Sequence, residues 1–169
     1  MNTKEDINKV IKDLQAISSR LPNQCMDFYQ ILINMVGLSV FAQEKFNKCG
    51  YSGIEEDYLK EYCTINLSGP RQCGHTNAMV QLVKEEWDRL LQKTLIIVST
   101  RMEIDRVKGL FYGVVPPMVN IISQNTKLPT EKLYDTVIID TNTWLYNRLD
   151  PYQHVKFNQN SYNFIIKLE

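Results

Sequence analysis

Apolar residues recur along this chain at two different spacings, and the change from one to the other divides it. In the first third, Ile7, Val10, Ile11, Leu14 and Ile17 stand at helical spacing with charges between them. Thr3 with Asp6 forms a weak capping box at the start of that helix. Pro22 suits the opening of a second helix, which carries Phe28, Ile31, Leu32, Met35, Val36 and Phe41. This second helix is apolar on most sides, so it is expected near the centre of the packing. Gly50 and Gly53 mark a turn, and Glu55 to Glu61 adds a short helix.

From Tyr62 onwards short β-rich blocks take over. Tyr62 to Leu67 reads as a strand, and Thr94-Leu95-Ile96-Ile97-Val98 as a strand buried on both faces. Met118 to Ile122 is a weaker block. Tyr134 to Asp140 is stronger, because the β-branched run Val137-Ile138-Ile139 ends on an aspartate. Tyr162 to Leu168 supplies a last strand. Between the first two blocks, Met79, Val80, Leu82, Val83, Trp87, Leu90 and Leu91 share a helical stripe, with Glu85, Glu86, Asp88 and Arg89 mainly off it. Arg101 to Leu110 forms another helix, ended near Gly113 and the Pro116-Pro117 pair. This alternation predicts an α/β, three-layer domain with a mainly parallel sheet of four or five strands, preceded by two N-terminal helices. Residues 1–61 are expected to pack as a helical segment on a core of residues 62–169, giving one compact domain.

Composition narrows the function. Nineteen basic and nineteen acidic residues cancel among 169, so the chain lacks the broad positive field that drives non-specific nucleic-acid binding. Cys25, Cys49, Cys63 and Cys73 are scattered, with no Cys-x-x-Cys pair, and read as reduced thiols. The polar start Met1 to Asp6 has no apolar core of a signal peptide. The apolar run Phe28 to Phe41 is broken by Gln30, Asn34 and Ser39, and is shorter than the roughly 20 residues of a membrane span. No membrane association and a cytoplasmic location are therefore expected.

The candidate chemistry lies between the first strand and the helix that follows it. Gly69-Pro70-Arg71-Gln72-Cys73-Gly74-His75-Thr76 reads G-x-x-x-x-G-H-T, one residue away from the phosphate-binding pattern G-x-x-x-x-G-K-[ST]. In such a loop, successive backbone N–H groups converge on phosphate oxygens and the helix presents its positive end. Gly69 and Gly74 hold the two glycine places, and Thr76 supplies the hydroxyl that ligates Mg²⁺. The metal also needs an aspartate at the end of a neighbouring strand, and Asp140 fits that place. Gly69, Arg71, Gln72, Cys73, Gly74, His75 and Thr76 are thus the candidate phosphate-binding residues, with Thr76 and Asp140 as Mg²⁺ ligands.

The order strand, glycine loop, helix, apolar strand ending in Asp resembles the P-loop NTPases. Within them it is similar to helicase-like and phage terminase-like ATPases, over about Tyr62 to Trp144. Terminase loops of the form S-R-Q-x-G-K-T place arginine and glutamine where Arg71-Gln72 stand, and Leu95 to Arg101 looks like the strand that follows the loop helix. The resemblance implies a viral or mobile-element protein, acting in host cytoplasm, that binds ATP or GTP with Mg²⁺. Two departures set its activity apart. His75 replaces the lysine, and Thr141 follows Asp140 where these ATPases carry a catalytic glutamate. An imidazole is shorter than lysine and mostly uncharged at neutral pH, although close phosphates favour its charged form. Arg71 offers a permanent charge.

The expected function is therefore nucleotide or phosphate binding with weak or no hydrolysis. The alternative is an inactive ATPase-fold protein that binds a host protein or a nucleic-acid-processing complex. Glu103 and Asp135 are spare carboxylates that no spacing recommends as a base. His154 has no partner motif and reads as a packing residue, Trp144 stands just past Asp140, and Phe28 and Tyr29 are candidates to flank a base.

Overall fold

Five β-rich blocks become five strands that all run in the same direction. In the computed structural model, which describes residues 27–49, 55–68, 74–86, 93–127, 133–140, 150–157 and 161–168, these are β1 (Thr64–Leu67), β2 (Thr94–Val98), β3 (Val119–Ser123), β4 (Thr136–Asp140) and β5 (Phe164–Leu168). They form one sheet in the order β1-β5-β4-β2-β3, and every pairing is parallel. Four helices accompany them: α1 (Phe28–Cys49), α2 (Glu55–Tyr62), α3 (His75–Glu86) and α4 (Arg101–Leu110), with a 3₁₀ turn at Pro151–Gln153.

The uninterrupted apolar runs explain why these strands occupy the middle of the sheet. A parallel strand is covered on both faces, so polar positions would be buried wherever they fell. All five residues of β2 are buried, and so are Thr136 to Ile139 of β4. The edge strands are more mixed, with Asn66 of β1 and Asn120 of β3 exposed. Alternation then sorts the core into two layers. Ile65, Leu67, Ile96, Val98, Ile138, Ile166 and Leu168 pack with α1, α3 and α4. Leu95, Ile97, Val137, Ile139 and Ile165 pack with Tyr58 and Leu59 of α2 and with Val155. Helices on both faces of a parallel sheet are the α/β arrangement that the pattern predicts, and are compatible with three layers.

Two elements differ from expectation. The first strand begins at Thr64, because Tyr62 still belongs to α2 and the Thr64 hydroxyl donates to the Leu59 carbonyl at 2.8 Å, closing that helix. Helix α1 is also peripheral rather than central. It buries the stripe Phe28, Leu32, Val36, Ser39 and Gln43, while Leu38 and Phe41 are 70% and 61% exposed. One sheet face accepts only one side of a helix, whatever the other side carries. The buried polar residues on that stripe hold the helix in register. Gln43 donates to the Asn163 carbonyl at 2.8 Å and accepts from the Asn163 N–H at 3.1 Å, as a neighbouring strand would. Ser39 donates to the Tyr62 carbonyl at 2.6 Å. The expected helix over Ile7 to Ile17, the start at Pro22 and the stripe residues Trp87, Leu90 and Leu91 lie outside the described residues. No described helix is long and apolar enough to cross a membrane.

The layering makes a stability prediction. Ile138→Ala, at a site with no exposure, is expected to cost about 2–5 kcal/mol. Leu38→Ala should change stability by no more than about 0.5 kcal/mol. Urea unfolding of the two variants checks this, and equal losses would contradict the outward placement of Leu38.

Candidate functional site

Parallel register lines up the last residues of the strands along one edge of the sheet. Leu67, Leu168, Asp140, Val98 and Ser123 are successive partners across β1, β5, β4, β2 and β3. Asp140 shares the alternation phase of Ile138, so its side chain leaves the sheet on the face covered by α3 and α4. The chain steps from β2 outward to β3 and then returns past β2 to β4. Open α/β sheets bind ligands outside the strand carboxyl ends where the order reverses in this way. Asp140 and the start of α4 stand at that reversal.

Helix α3 is the next described element after β1, which lies two places from β4 in the sheet. Gly74 lies at φ +92, in the left-handed region that glycine adopts without strain. Its carbonyl accepts the Ala78 N–H at 2.9 Å, the first bond of the helix. Glycine at this position contributes no side-chain oxygen to cap the first N–H groups of the helix, which carry its positive end.

The first turn of α3 and the end of β4 meet at Arg106 of α4. Thr76 and Asp140 both lie beside the Arg106 guanidinium. Arg106 Nη2 donates to Thr76 Oγ1 at 3.2 Å and stands 3.9 Å from Asp140 Oδ2. Arg106 Nε is held by Glu103 Oε2 at 2.6 Å. Glu103 is itself fixed in the first turn of α4, where its N–H donates to the Thr100 hydroxyl of the N-cap at 3.3 Å. The His75 ring packs edge-on against Phe28, 4.4 Å between centroids.

This cluster carries unmet polar demand. Burial pushes the Asp140 carboxyl above its ordinary value, and Glu103 adds to the shift, while Thr76, Arg106 and His75 oppose it. Asp140 Oδ2 and His75 Nε2 are both buried without a hydrogen-bond partner. An orphaned buried polar atom costs about 1–3 kcal/mol.

Among the expected site residues, Gly74, His75, Thr76 and Asp140 come together. Gly69, Arg71, Gln72 and Cys73 lie outside the described residues, as do Thr141 and Trp144. The two spare carboxylates separate. Glu103 belongs to the cluster, whereas Asp135 Oδ2 accepts the Lys93 N–H at 3.0 Å where β2 and β4 begin, at the opposite edge. His154 is buried at that opposite edge, its carbonyl accepting from Tyr134, and burial lowers its pKa. Tyr29 donates to Glu85 and is engaged on α3. Cys63 is buried, its thiol pushed up to about 12, which leaves it protonated and unreactive.

Arg106 is the residue that spacing alone does not reveal. Three positions after Glu103 it reads as a surface ion pair, and only the fold brings it to a hydroxyl 30 positions earlier in the chain.

Thr76 and Asp140 are oxygen donors of the kind Mg²⁺ takes, and one or two protein ligands suffice beside phosphate oxygens and water. With Arg106 where it stands, however, they do not fit a directly bound ion. Metal–oxygen distances of about 2.0–2.1 Å would set the cation against the guanidinium. Among the described residues, no three His, Cys, Asp or Glu side chains are grouped to hold a metal. Among the described residues, cavities of about 180 and 120 Å³, lined by Lys93, Met118 and Tyr134 and by Glu55, Leu59 and Tyr152, lie away from this cluster. Both are below the roughly 300 Å³ of small-molecule pockets.

The raised Asp140 carboxyl makes stability depend on pH. The folded chain holds this proton to higher pH than the unfolded chain, so stability falls as pH rises through the folded value. Asp140→Asn removes the charge and is expected to raise the melting temperature at neutral pH. The gain should shrink as pH drops towards the ordinary value of 3.8. His154 titrates in both proteins and cancels. Melting curves of the two chains from about pH 7 to about pH 4 check this, and a gain that grows on acidification would contradict burial as the dominant cause.

No protein-family model matches this chain, and no curated protein or solved structure shows significant similarity to it.

Proposed function

We propose that this chain is a small P-loop NTPase-like protein that binds a nucleotide, or its phosphates, with weak or no hydrolysis. One observation carries the reading. A helix that starts on a left-handed glycine carries Thr76 to the same guanidinium as Asp140, with Arg106 Nη2 3.2 Å from the Thr76 hydroxyl and 3.9 Å from Asp140 Oδ2. Those two residues are the ones that the glycine-loop pattern pairs through its metal and phosphates. In this reading the N–H groups opening α3 hold phosphate oxygens, and Thr76 and Arg106 close the site from α3 and α4. Gly69, Arg71, Gln72 and Cys73 would complete the cradle, and ATP or GTP is the ligand class.

Weak turnover follows from what surrounds Asp140. Attack on phosphorus needs a carboxylate or amide to orient water, as well as charge on the leaving oxygens. Glu103 is committed to Arg106, and Asp135 is at the far edge of the sheet. Thr141 stands where a glutamate would serve, and His75 where a lysine would reach the phosphates.

A second reading, an interaction protein that keeps only the ATPase fold, is favoured by the exposed apolar pair Leu38 and Phe41 on α1. Its partner would be a host protein or a nucleic-acid-processing complex. Zero net charge argues for the former.

The two readings separate on ligand-induced stabilisation. A ligand confined to the folded state, at a hundred times its Kd, adds about 2.7 kcal/mol. Melting curves with ATP and GTP are expected to shift upward. Gly74→Val should abolish the shift while far-UV circular dichroism stays unchanged, and His75→Lys should enlarge it. Absence of any shift in the unmodified chain would leave the interaction protein as the better account.

A further inference from the structure

The nucleotide reading brings an expectation of Mg²⁺, and the side chains around Thr76 and Asp140 do not leave its place open. Arg106 Nη2 stands 3.2 Å from Thr76 Oγ1 and 3.9 Å from Asp140 Oδ2, beside both oxygens that the ion would need. We infer that Arg106 is the resident cation of this site, and that the chain binds the phosphates of its ligand without a divalent metal. This inference rests on the phosphate-binding reading above and specifies how that site balances its charge.

Three features support the substitution. A guanidinium never loses its charge in a protein, and its planar fork matches phosphate oxygens two at a time. Its aim is fixed: Glu103 holds Nε at 2.6 Å, which turns Nη2 towards Thr76 and Asp140. Glu103 is in this sense a positioning residue. The Arg106 side chain is also 48% exposed whereas that of Asp140 is 11% exposed, so the guanidinium spans from the buried carboxylate to the open side from which a phosphate arrives. Mg²⁺ gives up its own water reluctantly, and to bind Thr76 and Asp140 directly it would have to displace a charge already seated there.

The experiment is calorimetric titration of the full chain with ATP and with inorganic triphosphate, each in EDTA and in excess Mg²⁺. Wild-type affinity is expected to differ by less than about threefold between the two conditions. Arg106→Gln should lose roughly tenfold or more in EDTA, the scale of one charged hydrogen bond, with part of the loss restored by Mg²⁺ once the position is vacant. Arg106→Lys keeps the charge but not the fork, and should fall between them. Lys108→Ala, an exposed cation on the same helix, should leave the ratio between the conditions unchanged. A merely structural role for Arg106 would lower affinity equally in EDTA and Mg²⁺. That result, or wild-type binding that vanishes in EDTA, overturns the inference and leaves the phosphate site standing. Failure of both probes to bind wild type in either condition overturns the underlying reading and this inference with it.

Discussion

Parallel pairing is the constraint on which the rest of this molecule depends. Five strands that run the same way must bring all their carboxyl ends to one edge, and their register sets which residues meet there. Asp140 stands beside Val98 on one side and Leu168 on the other, with Leu67 one strand further. Each strand must then be followed by a segment that crosses back over a face, and α3 and α4 cross over the same one. Their first turns converge on that edge for the same reason. Thr76 and Arg106 are neighbours because the strands are parallel, although they are 30 positions apart in the chain.

The packing that builds the edge is ordinary, and the cluster on it is not. Ile96, Ile97, Ile138 and Ile166 supply a wholly buried centre, which fixes strand ends against movement. The polar groups that seat α1 are satisfied: Gln43 and Asn163 bond reciprocally, and Asn163 also donates to the Asp135 and Lys156 carbonyls. Asp140 Oδ2 at the end of β4 and His75 Nε2 at the start of α3 are left without partners. Orphaned atoms also occur at Thr136, His154 and Ser161, so a missing bond does not by itself mark a site. In the proposed function, its coincidence with Thr76, Arg106 and a left-handed glycine carries the reading. A rigid core can carry the cost of such a cluster, since stability spent on function is a common condition of binding sites.

Much of the fold was legible because its signals are local. The unbroken apolar run Thr94 to Val98 can only be a strand covered on both faces, and it has those bounds. Arg101 to Leu110 is a helix between a Thr100 cap and a glycine turn, and it too keeps its bounds. The peripheral place of α1 was not legible, since Leu38 and Phe41 are as apolar as the residues that pack and only the sheet decides which side is used. In the candidate cluster, the places of Gly74, Thr76 and Asp140 follow from motif and strand end. Arg106 was not, because its pairing with Glu103 at helical spacing carries no hint of a hydroxyl on another helix.

The central claim is that the start of α3 and the end of β4 form one ligand site at the carboxyl edge. Amide hydrogen exchange of the full chain, with and without ATP, tests it most directly. The account predicts slowed exchange in peptides covering residues 68–78 and 99–107, the glycine loop with the opening of α3 and the first turns of α4, while the peptide over 36–46 on α1 is unchanged. Unaltered exchange in both site peptides, or protection confined to α1, would contradict it.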